Sequence, residues 1–186
     1  MQMPNSDRLC YKLLNCRSKT DLDFLYALDN DPDVMRFING GVPHSKQYIT
    51  DTYAKRLDLF TNEKKGWGLW QIIDSEKQNA MGWVLVRPMN LMNNIDTEFD
   101  NLEIGWRLMK HAWGNGYASE AAQHMIEQLT LKSNDITKIS AIADERNHSS
   151  IAVMKRLGMH YVNTVKSVEQ HGDINVALYE KVLSPN

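Results

Sequence analysis

Two apolar runs in the middle of the chain, residues 67–73 and 81–86, are separated only by a polar turn from Asp74 to Asn79. So short a connection holds no crossover helix, and the pair reads as an antiparallel hairpin. That feature rules out strict strand–helix–strand alternation, the pattern of a doubly wound parallel sheet. The rest of the chain has to be built around it.

Ahead of the hairpin, residues 9–14 suit a first strand. Leu22, Phe24, Leu25 and Leu28 then cluster at helical spacing behind a cap at Thr20 or Asp21, and Asp31-Pro32 ends that segment. Ile49, Tyr53, Leu57 and Phe60 share one face of a second helix over 45–60. After the hairpin comes a polar loop rich in Asn and Met, 87–99, and then a strand over 101–109. A helix over 116–131 carries Ala118, Ala121, Ala122, Met125, Ile126 and Leu129, a small-faced stripe suited to close packing on a sheet. A strand over 138–143 leads to a helix over 149–157, with Gly158 placed to terminate it. Two final strands, 159–168 and 174–182, meet at a turn containing Gly172. The order β-α-α-β-β-β-α-β-α-β-β predicts an α/β fold: a mixed, mostly antiparallel sheet of six to seven strands with helices on both faces. With no repeat, low-complexity tract or Pro/Gly-rich linker, residues 1–186 are expected to form a single domain.

Composition narrows the function classes. A formal charge of −2 gives no broad basic surface, so direct nucleic-acid binding is not expected. Cys10 and Cys16 have no partner set at metal-ligand spacing and read as reduced thiols, not a disulfide framework. No stretch approaches the roughly 20 apolar residues of a membrane span. The polar N-terminal residues lack the apolar core of a signal peptide, so a cytoplasmic protein with no membrane association is expected.

The stretch from Glu103 to Ala121 carries the chemistry. It is a strand, then a turn with Gly114 and Gly116, then a helix start. Backbone N–H groups at a helix N-terminus lack intrahelical partners and sit at the positive end of the helix dipole. A glycine turn lets them converge on an anion such as a pyrophosphate, although many such turns before helices are simply tight turns. A phosphate-binding P-loop would need Lys-Ser/Thr after its last glycine, where Tyr117-Ala118 stands. A dinucleotide fingerprint would need a third glycine or alanine where Ser119 stands, and an acidic residue about 20 positions on.

Three blocks in order resemble the GCN5-related N-acetyltransferases (GNAT), specifically the ribosomal-protein N-terminal acetyltransferase-like (RimJ/RimL) branch. Asp31-Pro32-Asp33-Val34-Met35-Arg36-Phe37 is similar to that branch's early turn and short helix. Glu103-Ile104-Gly105-Trp106 through Trp113-Gly114-Asn115-Gly116-Tyr117-Ala118-Ser119-Glu120-Ala121 is similar to its cofactor motif. Asn147-His148-Ser149-Ser150, followed by Met154 and Leu157-Gly158-Met159, is similar to its second motif. The resemblance spans nearly the whole chain. It implies a GNAT fold and an acetyl-CoA-dependent N-acetyltransferase that moves an acetyl group to a primary amine. The amine would be a protein N-terminus or a small molecule, and transfer would be direct, within a ternary complex. The implied co-substrate is acetyl-CoA, with no metal. A non-catalytic acyl-CoA-binding sensor or scaffold is the alternative.

By the same resemblance, Leu108 and Met109 offer backbone groups to pantetheine, on a strand splayed from its neighbour. A free N–H there would polarise the thioester carbonyl. His111, Gly114, Asn115, Gly116, Tyr117, Ala118 and Ser119 would form the pyrophosphate turn. His111 stands where the branch often has Gln or Arg, which shifts phosphate binding onto backbone amides. Asn147, by itself a helix N-cap, is implied to hydrogen-bond the pantetheine arm. Ser150, by itself a first-turn hydroxyl, is implied to lie near the sulfur and protonate the leaving thiolate. Met154 occupies the place where some relatives carry a tyrosine acid, so no tyrosine acts from that position. A lysine amine titrates near 10.4 and a peptide α-amine near 8, so a general base matters more for the first. Glu103 is the first candidate, against its reading as a surface strand carboxylate, and Glu169 in the last loop is the second. The helical segment 22–60 and the Glu169 loop are expected to line the acceptor side. An exposed edge strand at the C-terminal end would support a homodimer.

Overall fold

The structure, a computed structural model, describes residues 2–92, 97–169 and 172–183, the side chains of 167–169 and 172–174 excepted. β1 (Leu9–Leu13) leads into α1 (Lys19–Asp29), capped by Ser18, whose hydroxyl accepts from the Asp21 N–H. The cap thus falls two residues before Thr20. Asp31-Pro32 does not only end α1; it starts α2 (Pro32–Asn39). The Asp31 carboxylate accepts from the Asp33 N–H at 2.9 Å. Pro32 occupies the first helical position, where a missing N–H costs nothing.

The helix expected over 45–60 is three pieces: α3 (Lys46–Tyr48), a π turn (Ile49–Tyr53) and α4 (Ala54–Phe60). The Ala54 N–H reaches back five residues to the Ile49 carbonyl. Thr50 accounts for part of this: its hydroxyl lies 3.2 Å from the Lys46 carbonyl and 3.0 Å from that of Gln47, competing with the regular ladder.

The remaining elements are β2 (Gly68–Asp74), β3 (Ala80–Met89), β4 (Glu98–Leu108), a 3₁₀ turn (Lys110–Ala112), α5 (Tyr117–Thr130), β5 (Lys138–Asp144), α6 (His148–Arg156), β6 (His160–Glu169) and β7 (Gly172–Val182). β3 and β4 run further into the 87–99 segment than its polar composition suggests. Gly172 opens β7 instead of sitting in the turn, and residues 170 and 171 lie outside the described residues.

The seven strands form one sheet in the order β1-β2-β3-β4-β5-β7-β6. Every pairing is antiparallel except that of β4 with β5. β3 shows why both faces need helices. Its Val84 and Val86 point into a core with α5 and α6, while Trp83 and Leu85 point into a second core with α1 and α4. Ala121 and Ala122 are fully buried, and their small side chains let α5 lie close on the strands. β6 is the C-terminal edge strand, with Tyr161 and Val162 exposed. Both cysteines are free and half-buried. No helix among the described residues is long and apolar enough to cross a membrane.

Candidate active site

β4 and β5 pair only at Asn101–Lys138, Leu102–Ile139 and Glu103–Ser140. β4 then runs on to Leu108 and β5 to Asp144, so the two parallel strands splay beyond Glu103. The buried hydrogen bond from the Ser140 hydroxyl to Asn101 Oδ1, 2.8 Å, fastens the base of the wedge. On the other side β4 stays bound to β3 through Gly82–Leu108. The Met109 N–H donates to the Met81 carbonyl at 2.9 Å. Alternation along a strand therefore turns the peptide groups of Trp106 and Leu108 toward the open wedge. Leu108 thus stands at the open edge of the wedge. The Met109 N–H is already engaged, and the Leu108 carbonyl accepts from Trp113 Nε1 at 2.9 Å.

The wedge leads straight to the glycine turn. Gly114 and Gly116 both hold left-handed backbone, φ +77° and +78°, which favours glycine. A Cβ on Gly114 would meet nothing within 4 Å. Gly116 is the N-cap of α5 and supplies no side chain to cap it. The Ser119 hydroxyl, in the first turn of that helix, is buried with no hydrogen-bond partner among the described residues. An uncapped helix start with an orphaned hydroxyl fits a phosphate-bearing group such as the pyrophosphate of coenzyme A. Asn115 folds its amide back onto the Trp113 carbonyl at 2.9 Å, and His111 is exposed on the 3₁₀ turn. Beside them, a hollow of about 490 Å³ lies between α1, α2 and the segment Met109 to His111. Asn147 is the N-cap of α6, its Oδ1 accepting from the Ser150 N–H at 3.1 Å. Its amide N–H groups have no partner among the described residues.

Arg8 belongs to this side and left no signal in the sequence. Its side chain pairs with Glu120 at 2.7 Å, donates to the Asn115 carbonyl at 3.1 Å and stacks on the Tyr117 ring. It thereby ties the N-terminal segment to the glycine turn.

From the helical face of α1 to α4, a cleft of about 230 Å³ reaches the same wedge. Gly105, Trp106, Ile142 and Ala143 form its wedge end, and His44, Tyr53, Trp83, Arg107 and Glu103 line its walls. Glu103 is buried, not a surface carboxylate: Arg87 grips both its oxygens, at 2.7 and 3.1 Å. Asp144 lines the cleft at the end of β5. The Arg146 hydrogen bonds hold its carboxyl below the usual carboxylate range. Glu169 ends β6 opposite Gly172; its side chain lies outside the described residues. The β6–β7 hairpin continues past Val176, the residue paired with Asp144, so it overhangs the cleft end of β5.

Asp29, the last residue of α1, lies behind the cleft wall, bonded to two of its lining residues, and was not singled out from sequence. Its side chain is fully buried. Oδ1 accepts from Arg107 Nη1 at 2.5 Å and Oδ2 lies 3.0 Å from His44 Nδ1. A carboxylate at a helix C-terminus opposes the helix dipole, which was the one available sign that it must have a partner. Burial alone would push the Asp29 carboxyl up, but the Arg107 charge and the hydrogen bonds from His44 and Arg107 outweigh it, so the net shift is downward. A carboxyl lowered by folding stabilises the protein above the unfolded carboxylate range, near pH 4, and this contribution is lost as pH falls through the folded value. Urea midpoints are therefore expected to hold from pH 7 to 5 and to fall below pH 4. A midpoint at pH 3 equal to that at pH 7 would contradict this. Burial also raises the Tyr53 phenol above its ordinary value, keeping it a neutral donor.

Residues 12–160 match the acetyltransferase (GNAT) domain. The chain belongs to the GNAT acetyltransferases, of the RimJ/RimL type. This N-acetyltransferase is 30% identical over 173 residues to YkkB of Bacillus subtilis (strain 168), covering 90% of each chain. Its fold is that of RimL, the ribosomal L7/L12 α-N-protein acetyltransferase solved with coenzyme A: TM-score 0.74, 16% identity, all of both chains covered. Spermidine N-acetyltransferase from Vibrio cholerae, solved with coenzyme A and spermine, aligns at TM-score 0.70 and 15% identity, over 97% of this chain and 98% of its own. The seven-stranded mixed sheet and its flanking helices are thus the GNAT fold, and this acetyltransferase is an acetyl-CoA-using enzyme of that family.

Proposed function

We propose that the enzyme acetylates a primary amine by direct transfer, with coenzyme and acceptor meeting in the wedge between β4 and β5. The observation that carries this is the continuity of three features. A splayed parallel pair opens at one end on an uncapped helix start and from the opposite face on a cleft with charged side chains set among apolar ones. Backbone groups of Trp106 and Leu108, the turn from Gly114 to Ser119, and the Asn147 amide would hold the coenzyme. The bound coenzyme supplies an activated acetyl thioester. The chain's part is mainly to hold the amine against that carbonyl, and orientation alone contributes several kcal/mol to such reactions. Ser150, with its hydroxyl free of partners among the described residues, serves as proton donor to the sulfur.

Glu103 and its Arg87 partner form the cleft wall where a cationic ammonium must arrive. The carboxylate keeps lone pairs for it despite Arg87. Glu169 is assigned to the rim of the same side. Both a protein N-terminus and a small amine are compatible with a cleft of this size.

A thiol-release assay with acetyl-CoA tests this against peptides with free α-amines, spermidine, an aminoglycoside and free amino acids. Release that depends on one acceptor class is expected. Glu103→Gln is expected to lower kcat/KM at least about tenfold, because Arg87 is left without its counter-charge beside an incoming cation. Coenzyme A binding without acceptor-dependent release, unchanged in the variant, would favour a sensor or scaffold.

A further inference from the structure

We propose that His44, oriented by Asp29, is the base that takes a proton from the acceptor amine. The proposal rests on the transferase reading above and concerns only the acceptor side of the wedge.

The hydrogen bonds around the ring fix its tautomer. An ionised carboxylate can only accept, so the 3.0 Å contact with Asp29 Oδ2 requires the proton on His44 Nδ1. Arg107, 2.5 Å from the other carboxylate oxygen, keeps Asp29 ionised in its buried position. On the far side of the ring stands Asn39, whose amide orientation is set independently. Its Oδ1 accepts from the Val42 N–H at 3.0 Å and its Nδ2 donates to the Val42 carbonyl at 2.8 Å. The Asn39 amide therefore presents an N–H, not an oxygen, to His44 Nε2 at 3.4 Å. Nε2 consequently carries a lone pair. The Asn39 contact is long and weak, and an amine entering the cleft can replace it.

The ring is also held in place. The His44 N–H donates to the Asp29 carbonyl at 3.1 Å, so the same residue fixes backbone and side chain. Tyr48 packs on the imidazole with ring centres 4.1 Å apart. An imidazole with one nitrogen on a buried carboxylate and only a long, weak contact at the other is the arrangement that general bases share. Glu103, by contrast, has both oxygens on Arg87. His44 lines the cleft whose other end is the wedge at Gly105, Trp106, Ile142 and Ala143.

The proton accounting closes. The acceptor arrives as an ammonium and gives one proton to Nε2, which frees its nitrogen lone pair. That pair forms the C–N bond to the acetyl carbon, and the C–S pair leaves with the sulfur. The second nitrogen proton replaces the one that the Ser150 hydroxyl gives to the sulfur. His44 then returns its proton to water. The products are the N-acetyl amide, the free thiol and one proton.

His44→Ala, assayed with whichever panel amine the wild type turns over, is expected to lose on the order of 10²-fold or more in kcat. Coenzyme A affinity by calorimetry is expected to stay within about twofold, since His44 lies away from the glycine turn. Added imidazole is expected to restore part of the rate in the variant and none in the wild type. A variant that keeps its rate, or loses it without responding to imidazole, overturns the assignment. Nitrogen-15 NMR of wild-type histidines is independent of turnover and of whether the variant folds. A His44 proton on Nδ1 is expected, and one on Nε2 overturns the dyad. If the wild type acetylates no amine, the transferase reading fails, while the NMR result still judges the dyad by itself.

Discussion

Asp29→Ala is expected to lower the unfolding free energy by about 3–5 kcal/mol. The carboxylate is fully buried and its partner Arg107 is only 10% exposed, so truncation takes a counter-charge from a guanidinium largely shielded from water. Breaking a buried pair from one side costs far more than the pair itself contributes, because the remaining charge loses its counter-charge without regaining its water. His44 loses the carboxylate that orients its ring, while its N–H keeps the main-chain carbonyl of residue 29. Urea denaturation at pH 7 measures the effect. Asp29→Ala together with Arg107→Met should recover part of the loss, since the second change removes the charge that has lost its counter-ion. A single-variant loss under about 1 kcal/mol would show that solvent reaches Arg107 more freely than its burial implies.

Gly82→Ala is the second large effect, and its cause is backbone against backbone. A Cβ at Gly82 would lie 2.2 Å from the Arg107 carbonyl oxygen and 2.6 Å from the Leu108 Cα, at φ +146°. No side-chain rotation relieves either contact, so β4 must move away from β3. A loss of at least about 3 kcal/mol is expected, overpacking and an unsuitable φ acting together. Because β4 carries the open edge of the wedge, the shift is also expected to weaken coenzyme A binding. Gly114→Ala is the matched control. It shares a positive φ but meets nothing within 4 Å, so it should cost only about 1–2 kcal/mol. Equal losses in the two variants would mean that strand contact is not what Gly82 protects.

The coenzyme side of the site was more legible from sequence than the acceptor side, for a physical reason. Its parts lie in one continuous segment: the strand, the two glycines and the helix start from Glu103 to Ala121. Glycine at a left-handed position and a small-faced helix are local requirements, and local requirements leave their mark on neighbouring residues. Asn147 and Ser150 showed locally only as a cap and its first turn, and the family resemblance alone implied a coenzyme contact for them.

The side proposed for the acceptor is assembled from distant pieces. Asp29 ends α1, His44 sits in the loop before α3, Arg107 and Glu103 come from β4, and Arg87 from β3. Each is an unremarkable polar residue in its own stretch, and only the packing of α1 and the following loop on β4 brings them within 3.1 Å of their partners. The same limit explains why Glu103 read equally well as a surface carboxylate: nothing in its own strand announces Arg87, which stands 16 residues earlier on the neighbouring strand.

What the sequence determined alone was the succession of the strands and most of the helices; α2 and the π turn within 45–60 came from the structure. Periodicity, the short central turn and the capping residues act over a few residues, and they suffice to require a mixed sheet with helices on both faces. What only the tertiary structure decided was where the sheet opens and which charges meet there. β4 and β5 part after Glu103–Ser140, and the Asp29–His44–Arg107 cluster closes across α1, a loop and β4. Burial makes those polar groups find one another, and burial is a property of the packed chain, not of any segment of it.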